Sequence, residues 1–188
     1  MSEQNSPTRR DMVVTAAVAF AGVGVVAAAW PLIRQMSPDA AVPKPEITSL
    51  ELQSIGAGQS RTVGHAGQPV IVRNRIRAEI ERARAGDVAA LRDRDARSAI
   101  APERADASDG NRVVRGHEPW LVLVAACTKE ACIVRETQIE QRLADGIGWA
   151  CPCCASRYDL SGRVVSGPAP QNLRVPRFSI DGVTLRIG

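Results

Sequence analysis

Five cysteines lie in one short stretch of this chain, between Cys127 and Cys154. They form two groups, Cys127 with Cys132 and Cys151 with Cys153 and Cys154. Cysteines so close in sequence are typical of a metal site, of disulfide bonds, or of both, and the redox state of the compartment decides between them. The rest of the chain therefore has to supply a scaffold that presents two cysteine-bearing loops.

Composition limits the classes of protein that fit. The 188 residues allow one sizeable domain plus an appendage, and with 45% hydrophobic but only 3% aromatic residues the core must be largely aliphatic. The net charge of +4 comes with almost as many acids as bases, and the arginines are scattered among them. That distribution predicts no nucleic-acid partner. We find no glycine-rich phosphate loop, nucleophile elbow or internal repeat.

The N-terminus indicates the compartment. Arg9 and Arg10 precede an uncharged run from Met12 to Ile33, which as a helix of ~1.5 Å per residue spans roughly 33 Å, enough for a ~30 Å hydrocarbon core. Twin arginines before an apolar run are typical of a twin-arginine export signal. A cleaved signal peptide is the alternative, but the length of the run and the lack of a small-residue cleavage site after it favour an uncleaved anchor.

The charge asymmetry around this run predicts its orientation. Arg9 and Arg10 lie on the short N-terminal side, which favours a cytoplasmic N-terminus, a single pass through the inner (cell) membrane, and a periplasmic head. We divide the chain into a signal and anchor at 1–35, a tether at 36–46 and a head at 47–188. The tether contains three prolines, which is typical of an extended, semi-rigid linker.

The first half of the head reads as strands and one helix. Strands are predicted at 47–52, 60–63 and 69–75, and the apolar–polar alternation of the last one is typical of a half-buried strand. A helix is predicted at 76–85, with an apolar face formed by isoleucine and alanine and with Glu79 elsewhere. The charged segment 92–109 is predicted to be a surface loop.

The second half predicts a small antiparallel layer. An apolar strand at 120–126 leads into Cys127, a strand–turn–strand lies at 157–165, and a hairpin with an Asp-Gly turn lies at 178–187. His65 falls in a predicted turn and is interpreted as a solvated residue rather than a ligand. His117 is predicted to lie where a loop enters a strand, and it is not taken as a ligand either.

Three segments of this layer resemble a known family: Cys127–Cys132, Cys151–Asp159 and Gly167–Pro170. They resemble the two cluster-binding boxes and the proline loop of the Rieske iron–sulfur subunit of quinol–cytochrome c oxidoreductase. With the twin-arginine anchor, the resemblance covers essentially the whole chain. It implies a mainly β fold: a Rieske-like antiparallel β head with a small cluster-binding subdomain at about 120–172, plus one N-terminal transmembrane helix.

The resemblance also implies a function and a set of partners. The family holds a [2Fe-2S] cluster and passes electrons from quinol to cytochrome c1, so that a quinol, the cytochrome b and cytochrome c1 subunits, and membrane lipid become the expected partners. In such a centre two cysteines bind one iron and two histidines bind the other.

Positions in this sequence are matched to the family one by one. Cys127 and Cys151 match the thiolate ligands, and Cys132 and Cys153 match the pair whose disulfide ties the two boxes together. The remaining matches are Ser156 and Tyr158, which would hydrogen-bond to sulfur, and Gly167 and Pro168, in the loop that would cover the cluster.

Both histidine positions carry other residues. Lys129 stands at the first, and its ammonium group would have to lose a proton, from a reference pKa near ~10.4, before it could bind a metal. Cys154 stands at the second, so a metal would meet the thiolates of Cys127, Cys151 and Cys154, and an iron centre of that kind would have a lower potential. Glu130 and Ala155 also replace the usual apolar residue and glycine.

Three functions remain open from the sequence. The chain is a Rieske-type electron-transfer subunit with an altered ligand set, a degenerate paralogue with a structural or assembly role, or the holder of another thiolate-bound metal such as zinc.

Overall fold

The computed structural model describes residues 8–35, 47–141 and 144–188. The chain divides into two compact units, Met1–Lys44 and Pro45–Gly188. The predicted tether at 36–46 lies outside the described residues.

Helix α1, Arg9–Gln35, forms the described part of the first unit. Thr8 caps it, because its Oγ1 accepts the Asp11 amide at 3.4 Å while its own amide donates to the Asp11 carboxylate at 3.0 Å. Asp11 in the first turn and Arg34 in the last turn also complement the helix dipole. The helix is long and apolar enough to cross a membrane, and none of its residues is buried in protein. The predicted N-terminal apolar helix is therefore confirmed.

The regular structure described in the head consists of ten antiparallel strands, helix α2 (Arg77–Ala85) and three short 3-10 helices. The strands are β1 (Thr48–Glu51), β2 (Ser60–His65), β3 (Gln68–Asn74), β4 (Trp120–Val124), β5 (Arg135–Gln141), β6 (Ala144–Ala150), β7 (Arg157–Asp159), β8 (Val164–Ser166), β9 (Phe178–Asp181) and β10 (Thr184–Ile187).

The strands form three sheets, in the orders β1-β10-β9, β2-β3-β4 and β5-β6-β7-β8. All pairings within them are antiparallel. Apolar side chains from all three sheets share one core, which is aliphatic except for a few aromatic residues: Trp149, Tyr158 and Phe178. The predicted mainly β, antiparallel head is confirmed.

Strand β3 differs from its prediction, because it is buried on both faces. Residues 70–73 are at most 3% exposed, and Arg73 is fully buried. Its guanidinium binds Glu79 at 2.6 Å and Glu136 at 2.8 Å. A buried charge requires such partners. The alternation suggested a solvent-facing arginine, but this arginine lies in an internal ion-pair network.

Helix α2 also differs from its prediction, because the residues it buries are not the ones expected. Glu79 is only 5% exposed, whereas Ile76, predicted for the apolar face, is 43% exposed. The reason is Arg73: its buried guanidinium attracts the Glu79 carboxylate, which also accepts the Ile76 amide at 3.0 Å and so caps the helix.

Segment 92–109 was predicted to be a surface loop, but part of it is buried in the head. Its Ala96 is buried and accepts a hydrogen bond from the fully buried Arg112. The same guanidinium donates to the carbonyls of Ser161 and Leu173, both at 2.7 Å. Burial lowers the pKa of Arg112 to about 10, which leaves the group charged at neutral pH. One arginine thus joins this segment to the layer that carries the cysteines.

Candidate metal centre

The cysteines lie on two loops with the same backbone path. The first cysteine loop, 127–132, connects β4 to β5, and the second cysteine loop, 151–156, connects β6 to β7. In each, the amide of the first residue donates to the carbonyl of the sixth: Cys127 to Cys132 at 2.9 Å, and Cys151 to Ser156 at 2.8 Å. Both loops therefore begin with a cysteine held in a closed turn.

The fifth residue of each loop is an alanine in the left-handed region. Ala131 and Ala155 both have a φ of 55°. Their amides donate to the carbonyls of Cys127 and Cys151, at 2.9 and 3.0 Å. Such a φ is uncommon for a residue with a side chain. It is required here because the chain must reverse within the loop.

A disulfide joins the two loops. It links Cys132 to Cys153 across a Cα–Cα distance of 6.4 Å, so the predicted disulfide is present. This bond fixes the separation of the two loops and keeps both sulfurs from acting as thiolate ligands.

The other three cysteines are free and lie together. Cys127 and Cys151 are buried, and Cys154 is half-buried. Their sulfur atoms lie within 4.8 Å of one another, and those of Cys127 and Cys154 are 3.6 Å apart. The Cys151 sulfur is also within 4.8 Å of both disulfide sulfurs. The fold thus brings together the three cysteines that the sequence predicted as metal ligands.

Tyr158 donates its hydroxyl to the Cys127 sulfur at 3.3 Å and accepts the Thr128 amide at 3.3 Å. Burial opposes ionisation of Cys127, but this hydroxyl and the backbone amides of Glu130 and Lys129 outweigh it and lower the pKa of the thiol to about 7. Burial, together with the hydrogen bond to Cys127, raises the pKa of Tyr158. The tyrosine therefore stays a proton donor toward a readily ionised thiol.

Cys151 lacks such a hydroxyl partner. Its thiol is 1% exposed, and burial raises its pKa, although the backbone amides of Cys154 and Cys153 act in the opposite direction. The two buried thiols thus differ in how easily they lose a proton.

Ser156 connects the second cysteine loop to the proline loop (residues 167–170). Its Oγ lies 3.1 Å from the Cys154 sulfur and accepts the Ala169 amide at 2.9 Å. Gly167 has a φ of 87°, and a Cβ there would meet the Ser156 Cα at 2.5 Å. Glycine is therefore required at this position. Pro168 is exposed beside it.

The sequence did not single out Arg92, Asp93 or Thr128, which hold the proline loop and the two residues that follow it. Arg92 donates to the carbonyls of Gly167 and Ala169 at 2.5 and 3.0 Å. Thr128 Oγ1 donates to the Gln171 carbonyl at 2.8 Å. Asp93 accepts the amide of Asn172 at 2.8 Å. No local pattern marks these residues, because their partners lie 43 to 79 positions away.

Lys129 and both histidines take no part in the cluster of thiols as described. The Lys129 ammonium lies 3.7 Å from the Glu130 carboxylate, and both side chains are nearly half exposed. His65 lies beside Thr48 of β1, with its Nδ1 3.2 Å from the threonine Oγ1, and His117 precedes β4. The chain has no other histidine.

A cluster with two cysteine and two histidine ligands does not fit these residues. The two loops offer three free thiols and no imidazole. A [2Fe-2S] centre needs two pairs of ligands that face each other across the cluster. Here the three sulfurs converge on one point.

Comparisons with known proteins match the chain from end to end. A family model described as "Ubiquitinol-cytochrome C reductase Fe-S subunit TAT signal" matches residues 1–39. A "Ubiquinol-cytochrome c reductase iron-sulfur subunit" of Blastochloris viridis is 39% identical over 100% of this chain and 96% of its own length. The protein of the same name from Cereibacter sphaeroides is 37% identical, over 100% of this chain and 98% of its own length.

A solved structure is also similar. A chain of a "Hyperthermophilic respiratory Complex III" is 20% identical, with a TM-score of 0.46, and the match covers 92% of this chain and 98% of that chain.

Proposed function

This chain belongs to the family of ubiquinol–cytochrome c reductase iron–sulfur subunits, and we propose that it is the membrane-anchored, Rieske-type subunit of a quinol–cytochrome c reductase. One observation in the head carries the proposal. Two cysteine loops of the same backbone shape are joined by the Cys132–Cys153 disulfide and packed against the proline loop through Ser156.

The anchor and the signal support a single-pass topology. In our proposal helix α1 crosses the inner membrane, its N-terminus is cytoplasmic because Arg9 and Arg10 flank that end, and the head at 47–188 lies in the periplasm beyond the tether at 36–46. The partners are then lipid around α1 and the cytochrome b and cytochrome c1 subunits around the head.

Electron transfer from quinol to cytochrome c1 is the role that family membership implies, and it depends on a histidine-ligated cluster that these residues do not fit. We therefore assign no electron-transfer step to this head. Lys129 and Cys154, at the two imidazole positions, favour a second candidate function: a structural or assembly subunit that occupies the place of a Rieske protein in the complex.

Membership of the complex is tested by purification from native membranes. A chain with a C-terminal affinity tag, solubilised in mild detergent, should co-purify with b-type and c-type haem, read from reduced-minus-oxidised spectra. The matched control replaces Arg9 and Arg10 by lysine, which keeps the charge but removes the twin-arginine signal, and should leave the chain in the cytoplasm without haem. Tagged protein that reaches the membrane but carries no haem contradicts the proposal.

The same preparation separates the two candidate roles. Iron and acid-labile sulfide are assayed, and the reduced complex is examined by low-temperature electron paramagnetic resonance. Two non-haem irons and two labile sulfides per tagged chain, with a Rieske-type signal, would establish the electron-transfer role. Haem without non-haem iron or labile sulfide would establish the structural role.

A further inference from the structure

We propose that Cys127, Cys151 and Cys154 bind a single thiophilic metal ion, of which Zn²⁺ is the best fit, in the place where relatives are named for an iron–sulfur centre. The inference goes beyond the proposed function, because it rests on the geometry of the donors and not on membership of a complex.

The positions of the sulfurs favour one ion. In a tetrahedral zinc site with Zn–S bonds of ~2.3 Å, neighbouring sulfurs lie ~3.8 Å apart. Here the sulfurs of Cys127 and Cys154 are 3.6 Å apart, and all three lie within 4.8 Å of one another. One ion placed between them would reach all three with small side-chain adjustments. The two irons of a cluster would instead need ligands at opposite ends.

Hydrogen-bond donors already face two of the sulfurs. The Tyr158 hydroxyl accepts the Thr128 amide and donates to Cys127. Ser156 Oγ accepts the Ala169 amide, which leaves its own proton for the Cys154 sulfur at 3.1 Å.

Each hydroxyl is therefore oriented by a backbone amide so that it donates to sulfur. Such an arrangement stabilises metal-bound thiolates, because it offsets the negative charge that accumulates on a ligating sulfur. A cluster of protonated thiols in a plain hydrophobic core would need neither donor.

Burial of the sulfurs defines the access to the site. Cys127 is 3% and Cys151 1% exposed, whereas Cys154 is half-buried. An ion therefore enters past Cys154, and its fourth ligand is a water molecule on that side. Three thiolates and Zn²⁺ carry a net charge of −1, and the three thiol protons are released to solvent on binding.

A disulfide between Cys127 and Cys154 is the competing fate of these thiols in an oxidising compartment. It would consume two of the three donors and leave Cys151 alone. The two states differ in the number of free thiols, so that a thiol count distinguishes them directly.

The test uses the full chain, purified anaerobically in detergent without reductant and freed of metal by chelation. Titration with Co²⁺, a spectroscopic substitute for Zn²⁺, should give one equivalent of bound metal, with sulfur-to-metal charge-transfer absorption and the visible bands of tetrahedral cobalt. Zn²⁺ should then displace it at a ratio of 1:1. Before metal is added, three free thiols per chain are expected.

Variants assign the ligands and their supports. Cys154→Ser should lower the charge-transfer absorption to that of a two-thiolate site and weaken metal binding. Tyr158→Phe should retain the band but weaken Zn²⁺ binding by roughly 10- to 100-fold, as expected for loss of a hydrogen bond to a ligand. Ser179→Ala, on the exposed side of β9, is the matched control and should change neither.

Three results would overturn the inference. They are two irons with labile sulfide in the isolated chain, a single free thiol with a Cys127–Cys154 disulfide found by mass spectrometry, or three free thiols that fail to bind Co²⁺ and Zn²⁺. Each of these results can occur whether or not the chain co-purifies with haem. Failure of the metal-site inference would therefore not contradict the proposed function, which is tested separately by co-purification.

Discussion

The first cysteine loop follows β4, an apolar strand, whereas the second continues through β7 into a turn held by buried charges. In that turn Asp159 binds Arg163 at 2.5 Å, and the Ser161 hydroxyl donates to Asp109 at 2.6 Å. Asp109 in turn binds Arg75, and both side chains are fully buried. The same loop backbone is thus supported in two ways, by apolar packing on one side and by an ion network on the other.

The tips of the loops differ as well. The first presents Lys129 and Glu130 to solvent as an exposed ion pair, whereas the second turns Cys154 toward the other free thiols. The backbone of each loop is independent of these side chains, because it is held by main-chain hydrogen bonds and an alanine at a φ of 55°. The comparison shows that the frame of a coordination site persists when its donors change.

The largest effect is expected from giving both loops an imidazole. The double variant Lys129→His with Cys154→His should bind two irons with labile sulfide, because it restores a set of two cysteines and two histidines in an unchanged frame. Electron paramagnetic resonance of the reduced protein checks the result, with Lys129→His alone as control. A double variant without iron would show that the frame itself, at Glu130 or Ala155, no longer accepts a cluster.

The next largest effect is expected where the second loop depends on buried charge. Asp109→Ala leaves Arg75 buried without its partner and should lower the free energy of unfolding by about 3–5 kcal/mol. Urea unfolding of the full chain in detergent, followed by tryptophan fluorescence, measures it. The matched control is Glu81→Ala, in the exposed Arg77–Glu81 pair, which should produce no measurable change.

The buried Asp109–Arg75 pair should also make the stability of the head depend on pH. Burial opposes ionisation of Asp109, but the hydrogen bond and charge of Arg75 and the Ser161 hydroxyl outweigh it and lower its pKa in the folded state. The stabilisation is then complete above the unfolded pKa of ~3.9 and is lost as the pH falls through the folded pKa. Asp109→Asn should flatten the fall of the urea midpoint below about pH 4, where the unmodified carboxylate becomes protonated. An equally steep fall would assign the acid sensitivity to other carboxyls.

Removing the disulfide that joins the two loops should lower the free energy of unfolding somewhat less than Asp109→Ala does. Cys132→Ser with Cys153→Ser should lower the free energy of unfolding by about 3 kcal/mol, since the disulfide closes a loop with a sequence separation of 21. The same urea titration measures it. A reducing agent should destabilise the unmodified chain by a similar amount and the double variant hardly at all, and a reductant effect of equal size on both would exclude the disulfide as the cause.

The smallest effects test the equivalence of the two backbones. Ala131→Gly and Ala155→Gly should each raise the free energy of unfolding by about 0.5–1 kcal/mol, because glycine adopts a φ of 55° without strain. Ala78→Gly, in helix α2, should lower it by a similar amount and is the control. If the two substitutions raised the free energy of unfolding by different amounts, the surroundings of each alanine, and not its backbone conformation, would determine the strain.

The sequence predicted the fold well, because its signals are local. Strand alternation, the Asp-Gly hairpin and the apolar run that became α1 each depend on neighbouring residues. The predictions for β3, α2 and segment 92–109 were wrong where a buried charge was involved. Arg73, Glu79 and Arg112 look like surface residues, and only the tertiary structure supplies the partners that make their burial tolerable.

The residues of the candidate site were likewise predicted only in part. The three thiols and the disulfide pair followed from matching positions to a family, and the fold brings them together as that match requires. The supports did not follow, since Arg92 and Thr128 act on a loop distant in sequence. The resemblance also gives no prediction of where the three sulfurs converge, because that point depends on Cys154, at which this chain departs from the family.

Arg112 has a consequence for the order of events in biogenesis. Its three acceptors lie 16, 49 and 61 positions away, and the most distant of them belongs to Leu173. A desolvated guanidinium with any of these carbonyls missing is unfavourable, so the head cannot complete its core until the segment that carries Leu173 has left the ribosome. Folding of the head is therefore complete only after the segment that carries Leu173 has been made, an order that suits a leader matching a signal for the transport of folded proteins.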